Sequence, residues 1–229
     1  MAFRLSRCVG VTAPDVNKAR DFYAQHMQLR VIGYEKGLEM RARSLRLFID
    51  PGPPGPAVLE MVTDEGPQAR ERIRRHGFEE KLWRGPRQPC LVVDPWGVVW
   101  NVFFEAGETV MDELEPTGPC LVSDRVGVVC EEPDDAADFY GSLFDAAPSK
   151  TVAGSWTVDS GACRMRIERG TAGSLLYLAS DACFEALLAV GCHEVSSSPP
   201  RIRDPFGVTW GADASAPSTF AAVEPGATP

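Results

Sequence analysis

Side chains able to do chemistry are thinly spread along this chain. It has three histidines, His26, His76 and His193, and seven cysteines, at 8, 90, 120, 130, 163, 183 and 192. The cysteine count is odd and no C-x-x-C occurs, so the set reads as reduced thiols, not a disulfide framework. A nucleophilic cysteine needs a base beside it, and no histidine is spaced to serve Cys8. A small buried thiol is the expectation there. His26 falls on the apolar stripe of a helix, and His76 and His193 lie at helix ends, where partial positive charge is favourable. Arg70, Arg72, Arg74 and Arg75 suggest an anion patch, but Glu71 interleaves with them, and Glu71–Arg75 four residues apart is a solvation pattern. No catalytic residue can be assigned from these types and spacings.

The elements that must position such groups are stated twice. Arg7 to Tyr23, RCVGVTAPDVNKARDFY, returns as RVGVVCEEPDDAADFY from Arg125 to Tyr140. Each copy reads as an alternating strand, an acidic turn and an amphipathic helix. Asp15 is placed to cap the first helix, and Val16, Ala19, Phe22, Tyr23 and His26 make its buried stripe. Strands are expected near 29–36, 38–43, 45–50 and 57–63, then a helix over 67–76 with Ala69 and Ile73 inward. Strands near 80–84, 89–93 and 97–104 follow, the last two joined by Asp94-Pro95-Trp96-Gly97, the residue order a type I turn prefers. The second copy repeats the layout and closes on Asp204-Pro205-Phe206-Gly207, with Ala186 and Val190 expected inward on its second helix. Trp100 and Trp210, six residues after each turn aspartate, alternate away from residues 101 and 211 and are expected beneath the helices.

Each copy is β-α-β-β-β twice over, an α+β layout of four modules. The expected domains are 1–105 and 120–213, with an acidic Gly/Pro-containing linker over 106–119 and a disordered tail over 214–229. Hydrophobic content of 44% supports ordinary cores. A net charge of −9 disfavours nucleic acid and anionic membrane as partners. There is no long apolar run and no signal-peptide pattern, so the expected compartment is the cytoplasm. A homodimer is allowed by these features.

In this order, and twice, strand–Asp–helix–Phe-Tyr and Asp-Pro-x-Gly–strand resemble the vicinal oxygen chelate superfamily. That group includes glyoxalase I, bleomycin-resistance proteins, fosfomycin-resistance enzymes and extradiol dioxygenases. The resemblance covers nearly all of residues 4–213 and implies two glyoxalase-like half-barrel domains, each curled around a pocket. Metal-dependent members usually take one ligand fourteen residues before the Phe of the Phe-Tyr pair and another seven residues after the turn aspartate. Here those positions hold Cys8 and Asn101 in the first copy and Arg125 and Gly211 in the second. A third, at the start of a middle strand, holds Ala57 and Ser174. A first-row divalent ion wants three or four converging His, Cys or carboxylate ligands, so no metal and no cofactor is expected. One alignment would supply a carboxylate: AVLEMVT, with Glu60, resembles the glutamate-bearing strand of glyoxalase I. Counting strands instead puts Glu60 on the helix side or at an edge, with Tyr177 at the matching place in the second copy.

The implied function is bleomycin-resistance-like binding or sequestration of a small organic molecule on a concave sheet. Cys8, Asn101, Phe103, Arg125 and Ser174 are the candidate ligand-binding residues. Arg125, in the family's orientation, would point a cation at a carboxylate or phosphate in the second pocket; the other reading has it snorkelling to solvent. The alternative function is a metal-dependent lyase, isomerase or dioxygenase with relocated ligands.

Overall fold

The computed structural model describes residues 3–33, 37–42, 45–85, 88–104, 122–160, 163–179 and 181–213. The expected linker and tail lie outside them. The first half runs β1 (Arg4–Ala13), α1 (Val16–His26), β2 (Arg30–Val31), β3 (Leu38–Arg41), β4 (Arg46–Pro51), β5 (Val58–Thr63), α2 (Gly66–Arg75), β6 (Glu79–Trp83), β7 (Cys90–Val93) and β8 (Val99–Phe104). The second runs β9 (Val122–Cys130), α3 (Pro133–Phe144), β10 (Ser149–Lys150), β11 (Trp156–Ser160), β12 (Cys163–Arg169), β13 (Gly173–Leu178), α4 (Phe184–Ala189), β14 (His193–Ser197), β15 (Pro200–Arg203) and β16 (Thr209–Ala212).

Each half forms one eight-stranded sheet, in the order β2-β3-β4-β1-β5-β8-β7-β6 and, identically, β10-β11-β12-β9-β13-β16-β15-β14. The inner strands of the two modules, β1 and β5, pair antiparallel, while β1–β4 and β5–β8 are parallel. This is the expected architecture of four βαβββ modules making two half-barrels. Asp15 caps α1 by accepting from the Asn17 and Lys18 amides. One helix departs from expectation. α4 has 6 residues against 10 in α2, and it buries Phe184 and Leu187 while Ala186 and Val190 are exposed. Shortening the helix moved its inward stripe, so matching by constant offset selected the wrong face.

Alternation sorts every inner strand onto two faces. In sheet one, Val9, Val11, Leu59, Met61, Trp100 and Val102 are buried beneath the helices. The helix-side cores of the two halves form one continuous apolar cluster. The repeated motifs lock this junction. The Tyr23 hydroxyl donates to Asp204 Oδ2 of the second half's turn at 2.7 Å, and Tyr140 donates reciprocally to Asp94 Oδ2 of the first. Each aspartate also accepts two amides of its own turn and the indole N–H of Trp100 or Trp210. Both tryptophans are therefore core, as expected, but the Phe-Tyr helix of each copy closes on the turn of the other. Gly207, with φ of +91°, lies so close to Gly55 that a Cβ there would come within 2.7 Å of its amide nitrogen.

Candidate functional site

The face of sheet one away from the helices is the more open of its two faces among the described residues. Its residues Cys8, Gly10, Phe48, Val58, Glu60, Val99, Asn101 and Phe103 are half-buried, whereas their strand neighbours on the other face are closed off. On this face β1 carries an irregularity: Leu5 pairs with Met61 and Val9 with Leu59, so Ser6, Arg7 and Cys8 all stand opposite the single residue Glu60. Such a bulge re-aims side chains. Here it brings two β1 groups onto one carboxyl. Ser6 Oγ donates to Glu60 Oε1 at 2.7 Å, and the Cys8 thiol is in hydrogen-bond contact with the same group. From β8, where Glu60 and Asn101 are direct partners, Asn101 Nδ2 donates to Glu60 Oε2 at 2.7 Å.

Glu60 is thus a correction to the sequence reading, which turned it toward the helices or an edge. The signal was available in Val58-Leu59-Glu60-Met61, where two bulky apolar residues mark the helix side and leave Glu60 for the other. Burial pushes the Glu60 carboxyl above its usual range, against the lowering effect of Ser6, Asn101, Cys8 and Arg46. Burial, then the Glu60 charge, pushes the Cys8 thiol up to about 12. Cys8 therefore stays protonated at neutral pH and is a poor nucleophile. Beside it on β4, Arg46 is held bidentately by Glu39, at 3.0 and 3.1 Å, and Arg41 adds a further bond to Glu39 at 2.7 Å. Burial raises the Glu39 pKa, but these two guanidiniums outweigh it and the net shift is downward.

The matching face of sheet two is filled by the chain itself. Tyr177 stands where Glu60 does and Gly211 where Asn101 does, again as direct partners. The Tyr177 ring lies over Gly127 and Gly211, and with Leu175 and Val129 forms a small apolar cluster separate from the main core. Its hydroxyl donates to Glu168 Oε1 at 2.9 Å, and Glu168 is also bound by Arg166, at 3.0 Å, and by Arg201. Gly211 leaves no open space on this face, because the Tyr177 ring takes it.

The five candidate residues fall in three places. Cys8 and Asn101 meet through Glu60, and Phe103 lies two residues along β8 on the same side. Arg125 is neither in bulk solvent nor facing an empty pocket: it donates to Asp213 Oδ1 at 2.8 Å, and Ser123 holds the other oxygen at 2.9 Å. Ser174 is on the opposite, helix side of β13, where its hydroxyl donates to the Ala57 carbonyl of the other half at 2.6 Å. It borders a cleft of about 390 Å³ between the halves, with Gly55, Gly97 and Arg203 also on the wall. A one-residue slip in reading the strand start transfers a side chain to the other face, and that accounts for Ser174.

No family model and no curated protein sequence matches the chain. Solved structures do. A substrate complex of homoprotocatechuate 2,3-dioxygenase from Brevibacterium fuscum superposes with a TM-score of 0.63 at 14% identity, over 93% of this chain and 83% of that one. A Mn(II)-bound glyoxalase from Novosphingobium aromaticivorans gives 0.58 at 14%, over 92% and 82%. A halotolerant catechol dioxygenase, BphC, gives 0.53 at 16%, over 93% and 87%. The fold is that of the vicinal oxygen chelate proteins. A metal ion such as the Mn(II) of that glyoxalase does not suit the residues in place here. Among the described residues no three His, Cys, Asp or Glu groups converge where an ion could sit. Asn101 is turned the wrong way for a ligand: its Oδ1 accepts the Cys90 amide at 3.2 Å and its N–H faces Glu60. In sheet two the equivalent places carry a guanidinium, a phenol and a glycine.

Proposed function

We propose that this protein binds a small organic molecule on the uncovered face of its first sheet, and that its second half is the scaffold. The supporting observation is the contrast between two matched faces. Around Glu60 the residues Cys8, Gly10, Val58, Val99 and Asn101 stay half-buried, whereas around Tyr177 the residues Gly127, Val129, Leu175 and Gly211 are closed off. Binding sites are concave and mostly apolar with few polar groups. Val58, Val99, Phe48 and Phe103 supply the apolar surface, and the Glu60 group supplies the polar one. Binding or sequestration needs no reacting group beyond these, and Cys8 is too hard to ionise to serve as one.

N-phenyl-1-naphthylamine, an uncharged dye that brightens in apolar sites, tests this reading. Saturable binding of one dye per chain is expected. Val58→Trp, which fills the first face opposite Gly10, removes it, whereas Leu175→Val on the second face leaves it intact. Failure to saturate, or binding indifferent to Val58→Trp, refutes the proposal.

A further inference from the structure

Three glutamates stand on or beside the inner faces of the two sheets, and their partners differ. Glu39 is bound by Arg41 and Arg46, and Glu168 by Arg166 and Arg201. Each of these carboxylates thus has two guanidiniums. Glu60 has only neutral donors, Ser6, Cys8 and Asn101, and among the described residues no Lys, Arg or His nitrogen lies within ion-pair distance of it. A carboxylate withdrawn from water without a cation is unfavourable. Arg46 acts on Glu60 only through space and without an ion pair, because Glu39 holds its guanidinium with two hydrogen bonds and its Cζ lies 5.2 Å from the Phe48 ring centre.

From this geometry we infer that Glu60 selects the ligand, and that the ligand class is an apolar or aromatic body carrying an ammonium group. The inference rests on the binding surface proposed above. An ionised carboxylate offers about four acceptor positions. Ser6, Asn101 and Cys8 account for three, and the remaining one suits a ligand N–H. An ammonium provides both the missing donor and the missing charge, and charge-assisted hydrogen bonds are the stronger kind. A hydroxyl provides the donor alone. A carboxylate ligand provides neither and meets Glu60 as a like charge. The apolar residues Val58, Val99 and Phe103, on the same face as Glu60, take the body of the molecule.

Three probes with one body separate the alternatives: 1-naphthylmethylamine, 1-naphthalenemethanol and 1-naphthoic acid, titrated calorimetrically into the full chain at neutral pH. The amine is expected to bind tighter than the alcohol by about tenfold or more, equivalent to 1.4 kcal/mol, and the acid weakest. Glu60→Gln is expected to bring the amine down to the alcohol and leave the alcohol bound. Equal affinities for amine and alcohol, or an acid that binds best, overturn this inference while the binding surface stands. No binding by any of the three overturns both. The wild-type series decides the matter even where the variant does not fold.

Discussion

Tyr23→Phe removes one oxygen from the junction between the halves and leaves the ring that packs on Phe206 and Trp210. Asp204 is 1% exposed and accepts from Phe206 N at 2.9 Å, Val208 N at 3.1 Å, Trp210 Nε1 at 2.9 Å and Tyr23 Oη at 2.7 Å. No water can replace the lost donor at that burial. Hydrogen bonds to charged groups contribute roughly 1.5–3 kcal/mol, so the variant should lose about that much. For a chain of this length the melting point should fall by about 3–12 °C. The loss should depend on pH. Burial raises the Asp204 carboxyl above its ordinary 3.8, and the Tyr23 bond opposes that rise, so the variant's carboxyl titrates higher still. A raised folded pKa means stability present below 3.8 and lost as pH rises through the folded value. The variant loses more on that rise, so its deficit is greatest at neutral pH and shrinks in acid toward that of a neutral hydrogen bond, about 1 kcal/mol. Urea titrations followed by far-ultraviolet circular dichroism and tryptophan fluorescence measure this. Both probes should report one coincident transition with an unchanged slope, because the core is continuous across the halves. A deficit under about 0.5 kcal/mol, the usual scatter of surface substitutions, refutes the reasoning. So does unfolding of the halves in two separate steps.

Two further outcomes are expected. Gly127→Ala should destabilise by about 1–3 kcal/mol through overpacking, since its Cβ would meet Tyr177 Oη at 2.8 Å and Cε2 at 2.9 Å, whereas Gly10→Ala should be nearly neutral because its Cβ meets only Val58 at 3.4 Å; thermal melts of both compare the filled and open faces directly. Glu60→Gln removes a carboxyl whose folded pKa is raised by burial above 4.5, so the wild type should gain stability over the variant as pH falls through that raised value toward 4.5, and urea midpoints at neutral and acid pH that move apart in the opposite sense would contradict it.

The strands, their order in two copies and the hairpin turns were legible because period-2 alternation and repeated turn chemistry are local signals. Asp15 and both tryptophans were placed correctly for the same reason. Facing was less secure. Ser174 and Glu60 were each assigned to the wrong side of a strand, since alternation gives parity only once one anchored residue is chosen, and the bulge at Ser6–Cys8 is invisible in composition. The partners of Tyr23 and Tyr140 were not legible at all. Each motif can close on its own copy or on the other, and nothing in spacing distinguishes a contact within a copy from one between copies. Arg125 was misread for a related reason: its partner Asp213 follows β16, far along the chain, at a position that no motif marks.

The difference between the two inner faces is an exchange of pairs, not of single residues. Tyr177 can lie across sheet two only because Gly127 and Gly211 have no Cβ. A Cβ at 211 would approach the ring to 3.2 Å and one at 127 to 2.9 Å. Sheet one has glycine at only one of the matching places, Gly10, and Asn101 at the other, so a tyrosine at 60 would strike the amide. Conversely, Glu60 needs Asn101 and Ser6 as donors, and Gly211 offers no side chain to a carboxylate at 177. Converting either face into the other therefore takes coordinated changes, and each intermediate carries either a clash or a buried carboxyl short of donors. On the proposed reading this is why the two copies remain distinct. One face gives its concavity to packing, which holds Glu168 and its arginines in place. The other stays more open around a carboxyl that, among the described residues, has no Lys, Arg or His nitrogen within ion-pair distance.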